Sequence, residues 1–448
     1  MSDAESNHST DTVAPAHGAP VAPGERFASL DILRGVAILG ILVMNIYAFA
    51  MPFSAYFNPF LMGGTEAHNL GIWFFTHVLF DQKFISIFAM MFGAGLVLMT
   101  ERAETKGVKP APIYFRRQFW LVLIGAIHGY LIWFGDILFA YALIGMMVYL
   151  FRKKSPRTLI IIACLLLPVT PLVNYGMSIY MADIKAQAQA LVAEEASGAT
   201  LNDEQKEIVT AWEGARAMMA PTAEDTQKDL ETHLQGYKPI LAFRVPQLAI
   251  MQIFMIPLFG IWRIGGLMLI GMALMKMGIF TAERGSAFYR RLMIAGYALG
   301  LPLTIFSAAN LYANDFDGLY GLRVGQIPNY VGSVLVAMGH IGLVMLIARA
   351  GVMQGLMSRF AAVGRMALTN YLMHSVILTT VFYGYGLGLY GELPRSWQMV
   401  FVAAVIGLQL AISPWWLSRF RFGPVEWLWR SLTYWVRQPM LAAGASRR

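Results

Sequence analysis

AIHGYLIWFGDILFAYALIGMMVYL, residues 126–150, is apolar almost throughout, yet it carries His128 and Asp136. Two apolar runs flank a break at Phe134 and Gly135, which reads as two membrane helices with the second folded back along the first. A charge at the bilayer centre costs about 2.5–3.5 kcal/mol on insertion scales, so such side chains face a bundle interior or a wet cavity. The same fold that makes this stretch a helical pair would bring His128 and Asp136 together. A carboxylate beside an imidazole orients it and raises its basicity, as a general base requires.

The rest of the 448-residue chain has the same character: 57% of it is hydrophobic and only 13% charged. Soluble domains carry about 25% charged residues. At about 20 apolar residues per crossing, the expected architecture is an all-α polytopic transmembrane helix bundle of about ten spans with a small helical extracytoplasmic insertion. The apolar runs are 30–50, 71–99, 119–133, 137–151 and 159–181, then 264–280, 288–311, 327–349, 366–385 and 400–417. Residues 26–181 therefore hold the first five spans and 261–420 the last five.

The net charge of +8 sits in short loops, among them Arg116 and Arg117, Arg152 to Lys154, Arg290 and Arg291, and Arg359 and Arg365. Every other loop is basic, which puts both termini in the cytoplasm. Charge scattered in this way excludes a basic nucleic-acid groove. Residues 241–259 are apolar enough to span, but a crossing there would place every later basic loop outside. Arg244, Pro246 and Pro257 also interrupt it, so 239–260 is expected to be an interfacial or re-entrant helix covered by protein.

Residues 182–238 hold 11 acidic and 5 basic side chains among good helix formers. They are expected to form two or three short amphipathic helices on the periplasmic side, one capped by Asn202. Residues 1–25, rich in Ser, Ala and Pro and without Lys or Arg, are expected to be a disordered cytoplasmic tail. Residues 421–448 form a second cytoplasmic tail. Cys164 is the single cysteine, so no intrachain disulfide forms, and its apolar run reads as burial of a small hydrophobe.

Beyond His128 and Asp136, three clusters place polar groups at membrane depth. Asp31 and Arg34 share a helix face at the start of span one, with Ser29 as a cap and Asn45 deeper in. His77 and Asp81 are one turn apart in span two; two ligands make a poor metal site, and a buried Lys83 paired with a carboxylate is the better reading. Asn370 and His374 are four apart in span nine, with Arg365 at its mouth. Each cluster also has a bland reading as helix–helix hydrogen bonding. The sequence has no phosphate-binding Gly loop, no dinucleotide fingerprint and no G-x-S-x-G elbow.

LDILRGVAILGILVMNI, KFISIFAMMFGAG, IHGYLIWFGDILFAYALIG, GRMALTNYL and GPVEWLWRSLT resemble the signature blocks of the YeiB family, bacterial inner-membrane proteins without an assigned reaction. His128 and Asp136 fall in the family block H-G-x-x-x-W-x-G-D. The family is grouped with transmembrane acyltransferases, similar to heparan-alpha-glucosaminide N-acetyltransferase and to acyltransferase-3-type proteins. The resemblance thus implies transfer of an acyl group from cytoplasmic acyl-CoA, acetyl-CoA before others, to an acceptor across the membrane, without a metal.

On that reading His128 is the general base and Asp136 its orienter. Arg34, Lys83 and Arg365 would bind the CoA phosphates or acyl oxyanions, Asn45 and Asn370 are candidate donors to the developing charge on the thioester oxygen, and Asp31 and His374 complete the substrate-binding set. The implied partners are membrane lipids and a small-molecule or envelope-glycan acceptor, with no nucleic acid; a homodimer is left open. Two other readings use the same residues: a transporter or permease for a small metabolite, and a scaffold whose polar groups only lock helices together.

Overall fold

The computed structural model describes residues 27–64 and 66–442. The tail 1–25, expected to be disordered, lies outside the described residues, as does 443–448 of the second tail. Among the described residues the chain is helical, apart from a single bridge between Phe420 and Leu441.

The helices follow one another as α1 (Ala28–Ala50), α2 (Ala67–Leu79), α3 (Lys83–Thr105), α4 (Pro110–Ile127), α5 (Leu138–Val148), α6 (Pro156–Leu166), α7 (Val169–Ala196), α8 (Asp203–Met219) and α9 (Ala223–His233). Next come α10 (Tyr237–Ile250), α11 (Ile261–Lys276), α12 (Ser286–Ala313), α13 (Ile327–Ala350), α14 (Gln354–Arg365), α15 (Ala367–Phe382), α16 (Arg395–Arg419) and α17 (Pro424–Tyr434).

Among the described residues, seven helical stretches are long and apolar enough to cross a membrane: α1, α2–α3, α6–α7, α10–α11, α12, α13 and α16. This is a multi-pass membrane protein. The expected spans at 137–151 and 366–385 are shorter apolar helices, Leu138–Phe151 and Ala367–Phe382, and that at 119–133 falls in α4 and the π-turn His128–Ile132 that ends it, which is not among the seven.

Residues 239–260, expected as a separate interfacial or re-entrant helix, run without a break into α11. A π-turn segment, Met251–Gly260, joins α10 to α11 and absorbs Pro257, whose ring cannot donate to the helix ladder. The resulting stretch of 40 residues is roughly 60 Å long at 1.5 Å per residue, about twice the hydrocarbon thickness. The pair α6–α7, 41 residues, is as long and carries the acidic insertion at its far end.

In that insertion α8 starts on the expected Asn202 cap, completed by Gln205, and α9 on a matching box of Thr222 and Asp225. Donors from Thr222 hold the Asp225 carboxyl below its ordinary range. His233 of α9 stacks on Tyr390, and Tyr390 bonds Asp229, so the insertion is pinned over the turn between α15 and α16.

Apolar side chains cover the outside: Leu150, Leu165, Leu172, Ile253 and Leu299 are all exposed. Cys164 is exposed among them, so it faces the lipid side of α6 rather than the core, contrary to expectation. Helices that meet lipid have no need to hide Cys or Leu; the groups that must be hidden are the polar ones.

The basic loops gather on one face. Lys276 donates to the Arg152 and Lys154 carbonyls, Arg349 to Ala282 O, and Ser29 to Phe280 O. Ser29 thus ties α1 to the loop after α11 and does not cap α1 as expected. The opposite face is closed by Gly384 N donating to His233 O, Gly391 N to Ala50 O and Tyr237 to Leu131 O.

Close crossings fix the bundle. A Cβ on Gly35 would strike the Phe360 carbonyl, and one on Gly364 the Asp31 carbonyl, so α1 and α14 touch backbone to backbone. Gly93 and Gly271 do the same for α3 and α11. Gly364→Ala should therefore lower the thermal midpoint in detergent by several degrees, an overpacking cost toward the top of about 1–3 kcal/mol. Gly407→Ala, where nothing lies within 4 Å, should leave the melt unchanged. Equal melts for the two variants would contradict the crossing.

Candidate functional site

The break after α4 delivers His128 and Asp136 to each other. His128 opens the π-turn and Asp136 precedes α5, where its Oδ2 accepts from Phe139 N at 2.8 Å. Gly125 makes room: a Cβ there would sit 2.9 Å from Asp136 Oδ2. Gly135 does likewise for the Trp133 ring, which stacks on Phe49 at 4.0 Å.

His128 Nδ1 lies 2.7 Å from Asp136 Oδ1. A carboxylate only accepts, so Nδ1 carries the proton and Nε2 is left as an acceptor. At 2.8 Å from Nε2 is Ser375 Oγ, on α15. The serine hydroxyl donates to the imidazole, and the three side chains form a Ser–His–Asp relay. All three are buried, His128 to 1% exposure.

Tyr371, one turn before Ser375, packs edge-on against the His128 ring at 5.2 Å. Its hydroxyl donates to Gly135 O and accepts from Ile137 N, both at 3.2 Å.

Tyr371 also lines a cavity of about 280 Å³ on the basic face. The mouth carries Arg34, Arg102, Lys106, Arg117, Arg365 and Arg430; deeper in, the lining turns to Met91, Leu121, Leu138 and Tyr141. Asp31 and Glu426 are its acidic lining. Asp31 pairs with Arg34 at 3.0 Å. Glu426 accepts from Leu368 N at 2.7 Å and Thr369 N at 3.0 Å, capping α15. Arg117 is held over Trp429 at 4.2 Å. Gln118 Oε1 and Arg365 Nε have no hydrogen-bond partner, and both residues line the cavity.

Of the residues singled out in the sequence, Asp31, Arg34 and Arg365 line this cavity, and His128 and Asp136 stand behind its Tyr371 wall. The others are elsewhere. Asn370 donates to Val363 O and Ser413 Oγ at 3.1 Å, and His374 Nε2 meets Gln409 Oε1 at 2.9 Å, so both tie α15 to α16. Asn45 is half-buried and apart from the cavity lining.

Lys83 is not paired with a carboxylate. It donates to His77 O and Asn329 Oδ1, and Asn329 Nδ2 in turn donates to Asp81 at 2.8 Å. The amide stands between the two charges, and Tyr56 supplies the second bond to Asp81 at 2.7 Å.

The comparisons with known proteins agree with the signature blocks. The chain is 31% identical over 434 residues to "Uncharacterized protein YxaH" of Bacillus subtilis, covering 94% of this chain and 97% of that one. It is 31% identical over 418 residues to "Uncharacterized protein YeiB" of Escherichia coli, 93% and 99% covered. The chain belongs to the YeiB family. The model "Protein of unknown function (DUF418)" matches residues 274–436. No solved structure matches the chain.

That matched portion carries the YeiB-family elements α12 to α17, hence Arg365, Tyr371, Ser375 and Glu426; His128 and Asp136 lie before it. Ser375, Tyr371, Gln118 and Glu426 were not legible in the sequence as site residues. Tyr371 and Ser375 lie within three residues of His374 on the same helix, but the helix face toward α4 could not be told from the face toward α16.

The geometry sets an order of stabilities. Asp136→Ala removes the α5 cap, about 1 kcal/mol, and leaves a buried imidazole N–H without an acceptor, about 1–3 kcal/mol more. Asp136→Asn keeps an oxygen for either donor and should lose less. Thermal unfolding in detergent measures both, and an Asn variant as unstable as the Ala variant would count against the assigned bonds.

Proposed function

We propose that this protein is an integral-membrane acyltransferase. It takes an acyl group from acyl-CoA, acetyl-CoA foremost, at the cytoplasmic face of the bacterial inner membrane. It passes the group to an acceptor hydroxyl or amine at or beyond the membrane, on a small molecule or an envelope glycan.

The observation that carries this reading is the cavity: six cations at the mouth, an apolar throat, and an inner wall, Tyr371, that rests on the His128 ring. Cations suit the phosphates of the nucleotide end, and the narrow throat suits the pantetheine arm. Gln118 and Arg365 offer unpaired polar atoms to the arm's amides. His128 acts as base, Asp136 fixes its tautomer, and water is excluded from the buried pair.

In this reading the arginine-rich face is cytoplasmic, as are both termini. The chain crosses ten times, the three short helical segments at 110–132, 138–151 and 367–382 completing the seven longer ones. Lipid surrounds the apolar exterior.

Acetyl-CoA should bind the purified protein, with an affinity that falls as salt rises. Arg34→Ala and Arg365→Ala should each weaken it roughly tenfold, about 1.4 kcal/mol. Isothermal titration reads this directly, and no binding at millimolar acetyl-CoA would remove the donor.

Orientation is tested in a Cys164→Ala background. Ser197→Cys should react with a membrane-impermeant maleimide in spheroplasts, and Ser358→Cys only after lysis. The reverse pattern would turn the cavity away from the CoA pool.

A further inference from the structure

We propose that Ser375 is a nucleophile: the acyl group is carried on its Oγ as an ester between donor and acceptor. This rests on the acyltransferase reading for its donor but on separate geometry for its chemistry.

A serine inside a helix usually turns its hydroxyl back to the carbonyl three or four residues earlier. Its neighbours on α15 do so: Thr379 donates to Ser375 O and Thr380 to Val376 O, each at 2.7 Å. Ser86 and Ser178 follow the same habit elsewhere. Ser375 instead points its hydroxyl at His128 Nε2, the acceptor nitrogen left by the Asp136 bond. A hydroxyl bonded to the free nitrogen of an imidazole that is itself oriented by a carboxylate is the arrangement that activates serine on unrelated folds.

The fit of the three groups is also more than helix locking requires. His374, the next residue, shows the alternative: its Nε2 bonds an amide, and no carboxylate backs its other nitrogen.

The steps balance. His128 Nε2 takes the proton of Ser375 Oγ as that oxygen attacks the thioester carbonyl, forming the O–C bond. The C–S bond breaks, and the proton passes from Nε2 to the sulfur, releasing CoA thiol. The acceptor hydroxyl or amine then attacks the ester carbon and gives its proton to Nε2. The Ser375 O–C bond breaks and Oγ recovers the proton. Asp136 stays ionised throughout. Tyr371 lines the cavity and packs on the His128 ring, so in this scheme it swings from its two 3.2 Å bonds for the thioester to arrive.

The test uses the full-length protein in nanodiscs. With [1-14C]acetyl-CoA and an acid quench, label should appear on the peptide containing Ser375 and be released by alkali. It should be absent in Ser375→Ala, and its appearance should slow by roughly 10²–10⁴-fold in His128→Ala. Ser375→Cys should hold the label as a thioester that neutral hydroxylamine cleaves. Label on another residue, or Ser375→Ala transferring acetyl at the wild-type rate, would overturn the proposal while leaving the acyltransferase reading in place.

A fluorophosphonate probe needs no CoA and no variant that might misfold. Modification of wild-type Ser375 that is lost in His128→Gln supports an activated serine even if acetyl-CoA does not bind. A wild-type protein that both binds acetyl-CoA and leaves Ser375 unmodified by either reagent refutes it.

Discussion

Inside a bilayer a carboxylate has no water to fall back on, so the bonds of Asp136 decide what surrounds it. One oxygen takes the first free N–H of α5 and the other takes the proton of His128. Satisfying both requires α4 to stop where it does, Gly125 to lack a side chain, and the chain to reverse at Gly135. It then sets the imidazole tautomer, which in turn leaves Nε2 for Ser375 and draws α15 against the α4–α5 corner. Helix ends, a reversal and an interhelical contact all follow from one buried charge.

The cavity is built on the opposite principle, since cations are gathered at its mouth. Their repulsion is met by aromatic faces, with Arg117 over Trp429 and Arg116 over Trp435 at 4.3 Å, and by Asp31 and Glu426. Glu426 spends its oxygens on the α15 N-terminus, where the helix dipole favours it. The crossing of Gly35 with Gly364 holds Asp31, Arg34 and Arg365 around that mouth, which joins the signature glycines to the site.

What could be read from the sequence, and what could not, follows the range of each interaction. His128 and Asp136 are eight residues apart across a visible turn, so their meeting was legible. Asp31 and Arg34 share a turn of helix, and their pairing was legible too. Ser375 reaches His128 across 247 residues, and nothing in a mid-helix serine announces such a partner. The i,i+4 spacing of Asn370 and His374 correctly put them on one face but could not say which helix that face meets; it is α16, through Gln409 and Ser413. For Lys83 the rule that buried charges pair was too coarse, since Asn329 satisfies lysine and aspartate at once. Residues 239–260 were read as a separate interfacial or re-entrant helix because Arg244 and two prolines interrupt them, whereas α10 contains Pro246 and the π-turn takes up Pro257, so one long helix continues into α11.

The Lys83 network shows why burial alone does not mark chemistry. Lys83, Asp81 and Asn329 are as deeply buried as His128, and Arg263 nearby is spent on Ser86, Ser333 and Tyr330. Lys83 donates to His77 O and Asn329, Asp81 meets Asn329, Tyr56 and, at 3.3 Å, His77 Nδ1, and none of the three lines the cavity. A saturated network of this kind locks α2, α3 and α13 together and rigidifies them. The His128 relay differs in one respect that matters for reactivity. Its terminal hydroxyl is bonded to the His128 imidazole, and the Tyr371 ring packed on that imidazole also lines the cavity, its hydroxyl held by two long bonds. Of these two networks, only the one beside Tyr371 ends in a hydroxyl bonded to an imidazole that a carboxylate orients, and only it adjoins a residue of the cavity lining.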